Sequence, residues 1–586
     1  MATDVSKAAA QHKSRVSRRS FLKAAGVGSV LTATGGAVTF SASKAYAQGW
    51  DREVDVLVVG SGTALVAALI AHREGNSVAI LEKGGAPGGT TALSGGWYWI
   101  PNNPRLAEAG VADPREDCLK FLAHCAYPAR YNPASTSLGL DSNSLEMLES
   151  FYDNGSEMIR ALEEMGALDS IQKTGPDGDK VVDYYSNTPV SSYPENKTPR
   201  GRALVPKTAQ GREGNGAELV EQLMAEVTRR EIPVLVEHRA DKVVQNSQGQ
   251  VIGVEATTPS GVVSVRARKA VIFGTGGFTH NEELRRQLRG PTFSGCGPLT
   301  NQGDFIYLAT ALGAKLGNMP QAWWYPQIAD LAFETSATGL SGSTKGDSMI
   351  MVNKYGRRAV NEFSRYHARN QVHFVWDEVR GDYPNLVMFM IFDERVRQLF
   401  PGGTVPPLGG EAPWVVQGNT FEELAQAVSE RLGNFAEHTA ALKLDEDFVA
   451  NLKQTVASFN GYAETGNDLE FYRGQTPTDA LSFGLRRDGN DKPNMMMYPI
   501  AESGPYYCTM LVSGTLDTKA GPKINAKGQV LNVSDQPIPG LYGLGNCIAS
   551  PAGEAYWAGG ATLGLGMTYA YICALEAVRE AVKEAT

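Results

Sequence analysis

Two glycines and an acid near the start of the chain have the types and spacing of a dinucleotide-binding turn. Gly60 and Gly62 follow an apolar run, Val54–Val59, and an apolar segment of helical character comes next. Glycine permits the tight turn, and the N-terminus of the following helix offers unpaired N–H groups to a pyrophosphate. Glu82 ends a second apolar run about 20 residues further on, where such folds place the acid that binds ribose hydroxyls. The spacing therefore predicts a βαβ unit that binds a dinucleotide.

The stretch that follows, Gly84–Asn103, indicates that this dinucleotide is a flavin. Six glycines in that stretch serve no packing purpose in an ordinary loop. They let the backbone press against a flat ring system. Leu65 stands at the third glycine position of the fingerprint, and we expect Ala67 or Ala68 to supply the close helix–strand packing instead. The alternative is a βαβ unit without a ligand, which the glycine-rich continuation disfavours.

We predict one FAD, held by the first turn, the glycine-rich loop and two later segments. The predicted contacts are Gly60, Gly62, Thr63, Ala64, Glu82, Lys83, Gly88, Gly89, Thr90, Thr91, Ser94, Gly95, Gly96, Gly276, Gly277, Asn546, Gly560, Ala561 and Leu563. No His stands in Gly88–Thr91, so we expect the FAD to be non-covalent. The cysteines form neither a haem-attachment motif nor a C-x-x-C cluster, and no metal site is expected.

The elements that must position these residues indicate an α/β protein. Helical periodicity marks roughly Ala107–Met165 and Gly216–Arg230, and Val234–Gly277 alternates strand runs with turn signals, as an antiparallel meander would. We expect a Rossmann-like FAD-binding domain with an inserted α+β substrate domain. The predicted limits are 48–298 for the first part of the FAD-binding domain, 299–490 for the substrate (catalytic) domain and 491–586 for the second part of the FAD-binding domain.

Several segments resemble a known flavoprotein family, in sequence and in order. Gly88–Pro104 is similar to the flavin loop of 3-ketosteroid Δ1-dehydrogenases, within the fumarate reductase/succinate dehydrogenase flavoprotein superfamily. Further resemblance lies in Arg268–Phe278, Asn301–Pro326, Gly356–His367 and Glu502–Gly521. It spans nearly the whole chain after residue 47, and it implies the same FAD-binding fold.

The resemblance implies three catalytic tyrosines. Tyr366, in an N-E-x-x-x-Tyr pattern, matches the proton-abstracting Tyr of the family. Tyr507, in G-P-Tyr-Tyr, matches the Tyr that hydrogen-bonds the substrate ketone. A third family Tyr corresponds to Tyr184, with Tyr185 and Tyr193 as competing assignments. Each of these tyrosines could instead be an ordinary packing residue.

Reductases of small dicarboxylates in this superfamily use cationic residues that this chain replaces. The replacements are Tyr366 at the proton-donating Arg, Leu516 and Asp517 at the paired His, and Trp557 at a late Arg. Losing these cations disfavours a fumarate-like substrate. Arg365 and Arg369 keep this alternative open.

Removal of hydrogen beside a ketone suits these residue types. The hydrogen on the carbon next to the carbonyl becomes acidic only when a donor such as Tyr507 polarises the oxygen. A flavin on the other face accepts a hydride from the next carbon. Because the ordinary pKa of Tyr is about 10, Tyr366 can act as the base only with a lowered pKa or a proton relay. Trp97–Trp99 and Trp323–Trp324 are either core aromatics or the walls of a flat apolar pocket.

These residues predict an FAD-dependent dehydrogenase that introduces a C=C bond α,β to a ketone in a hydrophobic 3-ketosteroid or other cyclic ketone. One alternative is an exported flavin-dependent reductase of an unsaturated acid or ketone, similar to fumarate or urocanate reductases. Such reductases often carry a haem or FMN module, which this sequence lacks. A second alternative is a non-catalytic FAD-binding electron carrier. For the dehydrogenase we expect a separate electron acceptor, such as a quinone, a cytochrome or oxygen.

The N-terminus has the pattern of a twin-arginine export signal. Arg18 and Arg19 precede a Gly/Ala/Thr-rich run and an A-x-A site at Ala45–Ala47. That run is too short and too polar for a bilayer span, which disfavours the alternative of a retained membrane anchor. We expect residues 1–47 to be a signal peptide recognised by the twin-arginine export machinery, and the mature protein to be periplasmic.

Composition and charge exclude some partners. The 586 residues include 64 glycines and 42% hydrophobic residues, and the formal net charge is −9. This charge gives no basic footprint for nucleic acid, and no polybasic segment outside the signal predicts stable membrane insertion. Cys118 and Cys125 lie about two turns apart in a helical pattern, so they cannot bridge each other while that helix persists.

Overall fold

The computed structural model describes residues 49–184, 193–197 and 200–585. The predicted signal peptide and Tyr185 lie outside the described residues. The strands are β1 (Arg52–Val59), β2 (Val78–Leu81), β3 (Tyr98–Trp99), β4 (Ser170–Gln172), β5 (Ala203–Pro206), β6 (Val234–Leu235), β7 (Arg239–Gln245), β8 (Val251–Thr258), β9 (Gly261–Phe273), β10 (Ser294–Gly295), β11 (Leu316–Gly317), β12 (Ala322–Ile328), β13 (Met349–Val352), β14 (Met388–Asp393), β15 (Val415–Gly418), β16 (Tyr506–Thr518), β17 (Gly521–Pro522), β18 (Gln529–Leu531) and β19 (Pro537–Gly543).

The helices alternate with these strands along the chain. They are α1 (Ala64–Arg73), α2 (Gly89–Ala92), α3 (Pro104–Glu108), α4 (Arg115–Ala126), α5 (Ser142–Glu164), α6 (Gly216–Arg229), α7 (Glu282–Arg285), α8 (Asp304–Thr310), α9 (Ala329–Glu334), α10 (Tyr366–Asn370), α11 (Glu394–Leu399), α12 (Phe421–Asn434), α13 (Phe448–Thr465), α14 (Pro477–Phe483) and α15 (Ala561–Ala577). In the part of the chain that the structure describes, no helix is both long and apolar enough to cross a membrane.

The largest sheet of the described residues brings the two ends of the chain together. Its strands lie in the order β18-β19-β9-β1-β2-β6, and β7 and β8 extend it from β9 as the predicted antiparallel meander. β1 runs parallel to β2 and β9, and β9 runs parallel to β19. Parallel neighbours end at the same edge, so Val59, Leu81 and Phe273 finish their strands side by side.

Two apolar helices cover this sheet close to that edge. α1 is buried from Ala64 to Ala71, and α15 is buried along most of its length. A helix that is apolar on all sides belongs in the interior, and these two pack against each other. Their small residues permit close contact, which fixes the first turn of each helix relative to the strand ends.

A second sheet is built around one long strand, β16. β12, β14 and β15 pair antiparallel with β16, β10 pairs parallel with it, and β13 continues from β14. This sheet draws on residues 294 to 518, on both sides of the predicted limit at 490. Residues 49–586 form one compact unit, and the predicted domain limits stay predictions.

A buried carboxylate fixes the segment that leads to Tyr366. Glu362 has no exposed surface, and Arg358 donates two hydrogen bonds to it, Nε to Oε1 and Nη2 to Oε2, both 2.9 Å. Arg473 adds a longer contact at 3.4 Å. The other edge of the Arg358 guanidinium donates to Asp468 at 3.0 and 2.8 Å. The acid of the N-E pair therefore anchors the segment through buried ion pairs.

We predict that Glu362→Gln destabilises the fold strongly. The change leaves Arg358 and Arg473 buried with less negative charge, and breaking a buried pair costs about 3–5 kcal/mol. Urea titration of the FAD-loaded protein measures the free energy of unfolding.

Glu470→Gln is the matched control for this prediction. The Glu470 carboxylate lies 3.5 Å from Arg358 Nη1, but its side chain is 44% exposed. Its loss should therefore cost at most about 1 kcal/mol. Equal losses for the two variants would contradict the anchoring role of Glu362.

Candidate active site

A cavity of about 880 Å³ begins at the carboxyl ends of β1, β2 and β9, where Val59, Leu81 and Phe273 line it. It extends to Tyr325 on β12 and to Tyr366 at the start of α10. The cavity therefore joins the glycine turn of the first sheet to side chains of the second sheet. Open α/β sheets bind ligands at this position relative to their strands.

The first turn is restricted to glycine at one position. Gly60 has a φ of 106°, and a Cβ there would lie 2.3 Å from the Gly274 carbonyl oxygen. Its N–H donates to the Leu81 carbonyl at 2.7 Å. The chain then enters α1, and Gly62 and Thr63 line the cavity at the N-terminus of that helix. The geometry fits the predicted pyrophosphate site.

Glu82 lies in the cavity wall and joins two glycine-rich segments. Its Oε2 accepts from Ser61 Oγ at 2.5 Å, and its Oε1 accepts from the Gly84 N–H at 2.6 Å. Ser61 Oγ in turn accepts from the Gly88 N–H at 3.0 Å. A carboxylate has about four acceptor sites, so capacity is left for ribose hydroxyls.

Lys83 also lines the cavity, but its ammonium group is engaged in protein contacts. Nζ donates to the Thr300 carbonyl at 3.2 Å, to Gln302 Oε1 at 2.9 Å and to Asp304 Oδ2 at 2.9 Å. These contacts use the three donors of the ammonium group. Lys83 therefore ties the loop before α8 to the cofactor end of the cavity.

Most of the predicted cofactor residues line the cavity. They are Gly60, Gly62, Thr63, Glu82, Lys83, Gly88, Gly89, Thr90, Thr91, Ser94, Gly95, Gly276, Asn546, Gly560 and Leu563. Four predicted contacts are not among its described lining residues, namely Ala64, Gly96, Gly277 and Ala561.

These four residues support the wall from behind. Ala64 and Ala561 are fully buried at the first positions of α1 and α15. Gly96 lies so close to Asn215 that a Cβ would stand 2.3 Å from the Asn215 carbonyl carbon. The Gly277 N–H donates to the Asp517 carboxylate at 3.1 Å. Their direct contact with the cofactor stays a prediction.

Sequence reasoning missed Asp517 as the centre of a polar cluster in this wall. Its Oδ2 accepts from Asn301 Nδ2 and Asn546 Nδ2, each at 3.0 Å. Asn301 Nδ2 also donates to Thr90 Oγ1 at 2.7 Å, and Trp323 Nε1 donates to Asn546 Oδ1 at 2.9 Å. Burial raises the pKa of the Asp517 carboxyl. The sequence did contain a signal for this residue, because an acidic side chain is unusual inside a strand as apolar as β16.

Four tyrosines meet at the other end of the cavity. Tyr366 has neighbouring rings on three sides, with centroid distances of 5.8 Å to Tyr184, 5.2 Å to Tyr325 and 5.6 Å to Tyr556. Tyr184 and Tyr556 contact each other edge to face at 5.5 Å. All four line the cavity. The structure therefore brings together Tyr366 and Tyr184, as predicted, and adds Tyr325 and Tyr556.

Tyr507, in contrast, is not among the described residues that line the cavity. Its hydroxyl donates to Glu394 Oε2 at 2.7 Å and accepts from Arg397 Nη1 at 3.1 Å. On β16 the cavity touches Leu516 and Asp517, and Tyr507 lies nine residues before Leu516, about 30 Å along the strand at 3.3 Å per residue. The described lining therefore does not support Tyr507 as the donor to a ketone in this cavity. Tyr193 is likewise absent from the described lining, and its ring lies on His124 at 4.3 Å.

Tyr556 lies in the cavity wall next to a glycine turn. It precedes Gly560, the residue that caps the N-terminus of α15 with a φ of 95°. The Gly560 N–H acts on the Tyr556 hydroxyl and opposes the rise of its pKa. The Gly560 carbonyl accepts from the Trp99 N–H at 3.0 Å, which fixes this turn. A hydroxyl donor and a backbone N–H thus come together in the cavity wall.

Two buried basic side chains hold the segment that carries Tyr556. Lys519 Nζ donates to the Ala555 carbonyl at 2.7 Å and lies 4.5 Å from the centroid of the Trp323 ring. His367 Nε2 donates to the Glu554 carbonyl at 3.1 Å, while its Nδ1 accepts from the Trp324 N–H at 3.1 Å. Burial lowers the pKa of Lys519 and that of His367 well below their ordinary values.

The tyrosine hydroxyls are protonated at neutral pH. Burial raises the pKa of Tyr184, Tyr366 and Tyr556, and it raises the pKa of Tyr325 to about 12. The neighbouring Tyr184 and Tyr556 raise the pKa of Tyr366 further. Tyr366 could act as a base with a lowered pKa or with a proton relay, and the first of these conditions is not met. A proton relay is the condition that this geometry can satisfy.

The described residues contain no group of three or more His, Cys, Asp or Glu side chains placed to hold a metal ion. The wall instead offers a helix N-terminus, an acid with free acceptor sites and a glycine-lined channel, and these features fit FAD. Residues 55–563 match the family model described as FAD binding domain, which covers more than half of the chain. The chain therefore belongs to the FAD-binding flavoprotein family.

Within this family, the chain is similar to two groups of ketone dehydrogenases. It is 31% identical to a 3-oxosteroid 1-dehydrogenase of Mycobacterium tuberculosis, over 91% of this chain and 99% of that protein. It is 30% identical to a 4-oxocyclohexanecarboxylate 2-dehydrogenase of Sinomonas cyclohexanicum, over 88% of this chain and 92% of that protein.

Solved structures confirm the predicted FAD-binding α/β fold. A 3-ketosteroid Δ1-dehydrogenase from Sterolibacterium denitrificans matches with a TM-score of 0.75 and 24% identity, over 90% of this chain and 99% of that one. The open form of a flavocytochrome c3 fumarate reductase matches with a TM-score of 0.61 and 20% identity, over 92% of this chain and 80% of that one. The prediction of the family and that of FAD as cofactor are confirmed as well.

Proposed function

We propose that this protein is an FAD-dependent dehydrogenase that introduces a C=C bond α,β to a ring ketone. The observation that carries the proposal is the meeting of Tyr184, Tyr366 and Tyr556 in the cavity that begins at the dinucleotide turn. The similar proteins with 3-oxosteroid and 4-oxocyclohexanecarboxylate in their names share a ketone on a six-membered ring. That shared group defines the substrate class proposed for this chain.

Tyr556 and Gly560 bind the ketone oxygen in this proposal. The Tyr556 hydroxyl keeps its proton because burial raises its pKa, so it can donate. The Gly560 N–H lies close enough to the Tyr556 hydroxyl to lower its pKa, and in this proposal it supplies a second donor. Two fixed donors stabilise the negative charge that develops on the oxygen when the α-hydrogen leaves. Bound FAD supplies the acceptor for the hydride that leaves the β-carbon.

Tyr366 takes the α-hydrogen as a proton and passes its own proton to Tyr184, which has first released its proton to solvent in the cavity. Tyr184 is the next member of this relay, because its hydroxyl is hydrogen-bonded to that of Tyr366 and the two rings are in contact. Arg365 lines the cavity beside Tyr184, donates from Nη1 to the Tyr184 carbonyl at 2.6 Å and lowers the pKa of the Tyr184 hydroxyl against the effect of burial. The guanidinium charge therefore stabilises the deprotonated form of Tyr184, which is the form that can accept the proton of Tyr366.

A reductase of an unsaturated acid or ketone is the second candidate function. The observation that favours it is the buried Arg369 in the cavity wall, a cation suited to an acid. Such a reductase would oxidise chemically reduced protein with an unsaturated acid and would leave saturated ketones unchanged. Anaerobic mixing with each type of compound distinguishes the two directions.

We also propose that FAD is bound without a covalent link and is reoxidised by a separate acceptor. Thr90 and Thr91 stand in the glycine-rich loop where a histidyl link would require His. Two electrons per turnover must leave the flavin, so a quinone, a cytochrome or oxygen must follow as oxidant.

The prediction for the chemical step separates Tyr366 from Tyr556. Tyr366→Phe removes the base and should slow anaerobic flavin reduction by a ring ketone by about 10²- to 10⁴-fold. Tyr556→Phe removes one donor to the oxygen and should slow it by about 10²- to 10³-fold. Stopped-flow absorbance of the FAD-loaded enzyme, with a 3-ketosteroid and with a substituted cyclohexanone, measures both rates.

Tyr507→Phe is the matched control for these two variants. It makes the same chemical change on a tyrosine bonded to Glu394 and Arg397, and it should reduce flavin at the wild-type rate. A large loss in Tyr507→Phe with none in Tyr556→Phe would show that the cavity has been assigned to the wrong tyrosine.

The pH dependence of the same reaction follows from the raised pKa values. In this relay one tyrosine hydroxyl must lose its proton to solvent before the α-hydrogen is taken, and burial raises the pKa of both Tyr366 and Tyr184 above the ordinary value of about 10. The rate of flavin reduction at saturating ketone should therefore rise with pH up to at least pH 10, without a plateau below it. A plateau that begins near neutral pH would assign the base to a different group.

We propose that the protein is exported to the periplasm by the twin-arginine route, on the strength of Arg18 and Arg19. Replacing both by Lys should leave FAD-loaded protein in the cytoplasm, because the paired guanidinium groups are lost while the rest of the chain is unchanged. Fractionation followed by flavin fluorescence measures the distribution. Unchanged periplasmic flavoprotein would refute the proposal.

A further inference from the structure

Arg369 is a buried cation in the wall of the cavity. It lies one turn after Tyr366 on α10, and only 4% of its surface is exposed. Its Nη1 donates to the carbonyl oxygens of Glu362 at 2.7 Å and Ser364 at 2.9 Å. These two bonds fix the guanidinium by one nitrogen and leave its charge to be balanced elsewhere.

The other edge of this guanidinium, formed by Nε and Nη2, has no hydrogen-bond partner among the described residues. Two other arginines of this protein, one buried and one partly exposed, use that edge to bind a carboxylate. Arg202 donates from Nε and Nη2 to Asp113 at 2.8 and 2.7 Å. Arg395 donates from the same atoms to Asp347 at 2.9 and 2.8 Å. A carboxylate or a similar planar anion matches both donors of this edge.

The protein's own carboxylates near Arg369 are committed to other partners. Glu362 is held by Arg358 and Arg473. Asp479 accepts from Asn361 Nδ2 at 3.0 Å and from the Gly474 N–H at 2.8 Å. No ion pair joins Arg369 to a carboxylate within residues 49–184, 193–197 and 200–585. Burial lowers the pKa of Arg369 to about 10, which leaves the group charged at neutral pH.

The surroundings of Arg369 are polar and lie beside the tyrosines. Tyr325 shares a hydrogen bond of 2.6 Å with Ser343 Oγ, and both residues line the cavity. The Arg369 charge acts on the Tyr325 hydroxyl and lowers its pKa against burial. The Tyr325 ring in turn contacts that of Tyr366 at 5.2 Å. An anion at Arg369 would therefore lie next to the group that acts on the ketone.

We propose that the Nε–Nη2 edge of Arg369 binds a carboxylate of the substrate. This inference rests on the proposed function and narrows its substrate class to ring ketones that carry a carboxylate group. The ketone binds at Tyr556 and Gly560, and the carboxylate binds at Arg369, so the two anchors orient the ring between them. An uncharged ring ketone would leave the buried cation without a partner, which costs binding free energy.

A matched pair of probes tests the charge directly. The FAD-loaded enzyme is mixed anaerobically with cyclohexanone bearing a carboxylate at the carbon opposite the ketone, and separately with the methyl ester of that acid. The acid should bind about 10- to 100-fold more tightly than the ester, the range expected for a charge-assisted hydrogen-bonded pair. The concentration that gives half-maximal flavin reduction measures affinity, and flavin difference spectra measure it without turnover.

Three variants assign the preference to Arg369. Arg369→Gln should abolish the preference for the acid. Arg369→Lys should retain part of that preference, because Lys keeps the positive charge but lacks the paired N–H donors of the guanidinium. Arg397→Gln removes a guanidinium that contacts Tyr507 and Glu394, and it should leave the preference unchanged. FAD content and thermal unfolding show whether each variant is folded. If Arg369→Gln does not fold, Arg369→Lys, which keeps the positive charge, still tests the role of the guanidinium fork.

The outcomes separate this inference from the proposed function. If a 3-ketosteroid or the ester reduces the flavin as well as the acid does, the carboxylate site is refuted and the ketone dehydrogenase stands. If no ketone reduces the flavin, the proposed function fails. Flavin difference spectra then still test the carboxylate site. Equal binding of the acid and the ester to the wild-type enzyme would contradict it, and so would an acid preference that is retained in Arg369→Gln.

Discussion

The substrate half of the cavity depends on one buried carboxylate, Glu362. Its side chain holds Arg358 and Arg473, and its carbonyl accepts from Arg369. The same short segment then delivers Tyr366 into the cavity at the start of α10. Because these contacts are buried, the segment has one arrangement that satisfies its charges. The positions of the proposed base and of the proposed carboxylate anchor are therefore set by the same ion-pair network.

The cofactor half depends on a different constraint, the parallel alignment of β1 and β9. That alignment places Gly60 against Gly274 with no room for a side chain. Glu82 and Asp517 then connect the strand ends to the glycine-rich loop and to the segment before α15. Residues from both ends of the chain thus meet around one cavity. The cofactor and substrate regions share the wall formed by Asn546, Tyr556 and Gly560.

The sequence predicted well the parts of the site that are governed by local rules. The Gly60 turn, Glu82 and the glycine-rich loop follow from backbone requirements within about 40 residues, and these line the cavity. The family and the cofactor were predicted from the order of motifs along the chain. Tyr366 was located by its N-E pattern, although the structure gives the acid of that pattern a supporting role.

Contacts between distant segments were the part that the sequence could not supply. Tyr507 was chosen from a motif that resembles the family and Tyr556 was not singled out, yet Tyr556 lines the cavity and Tyr507 is not among its described lining residues. Asp517 gains its role from Asn301 and Asn546, which no local pattern connects to it. The open edge of Arg369 depends on which carboxylates its neighbours have already bound. Such pairings are decided by tertiary packing.

Exchange of the α-hydrogen with deuterated solvent tests the central claim most directly, since it isolates proton abstraction from hydride loss. A cyclohexanone whose β-carbons carry only methyl groups cannot give a hydride to the flavin. Incubated with the oxidised wild-type enzyme, such a ketone should gain deuterium at the α-carbon, while Tyr366→Phe should give only the background rate. Exchange by Tyr366→Phe at the wild-type rate would contradict the assignment of Tyr366 as the proton acceptor.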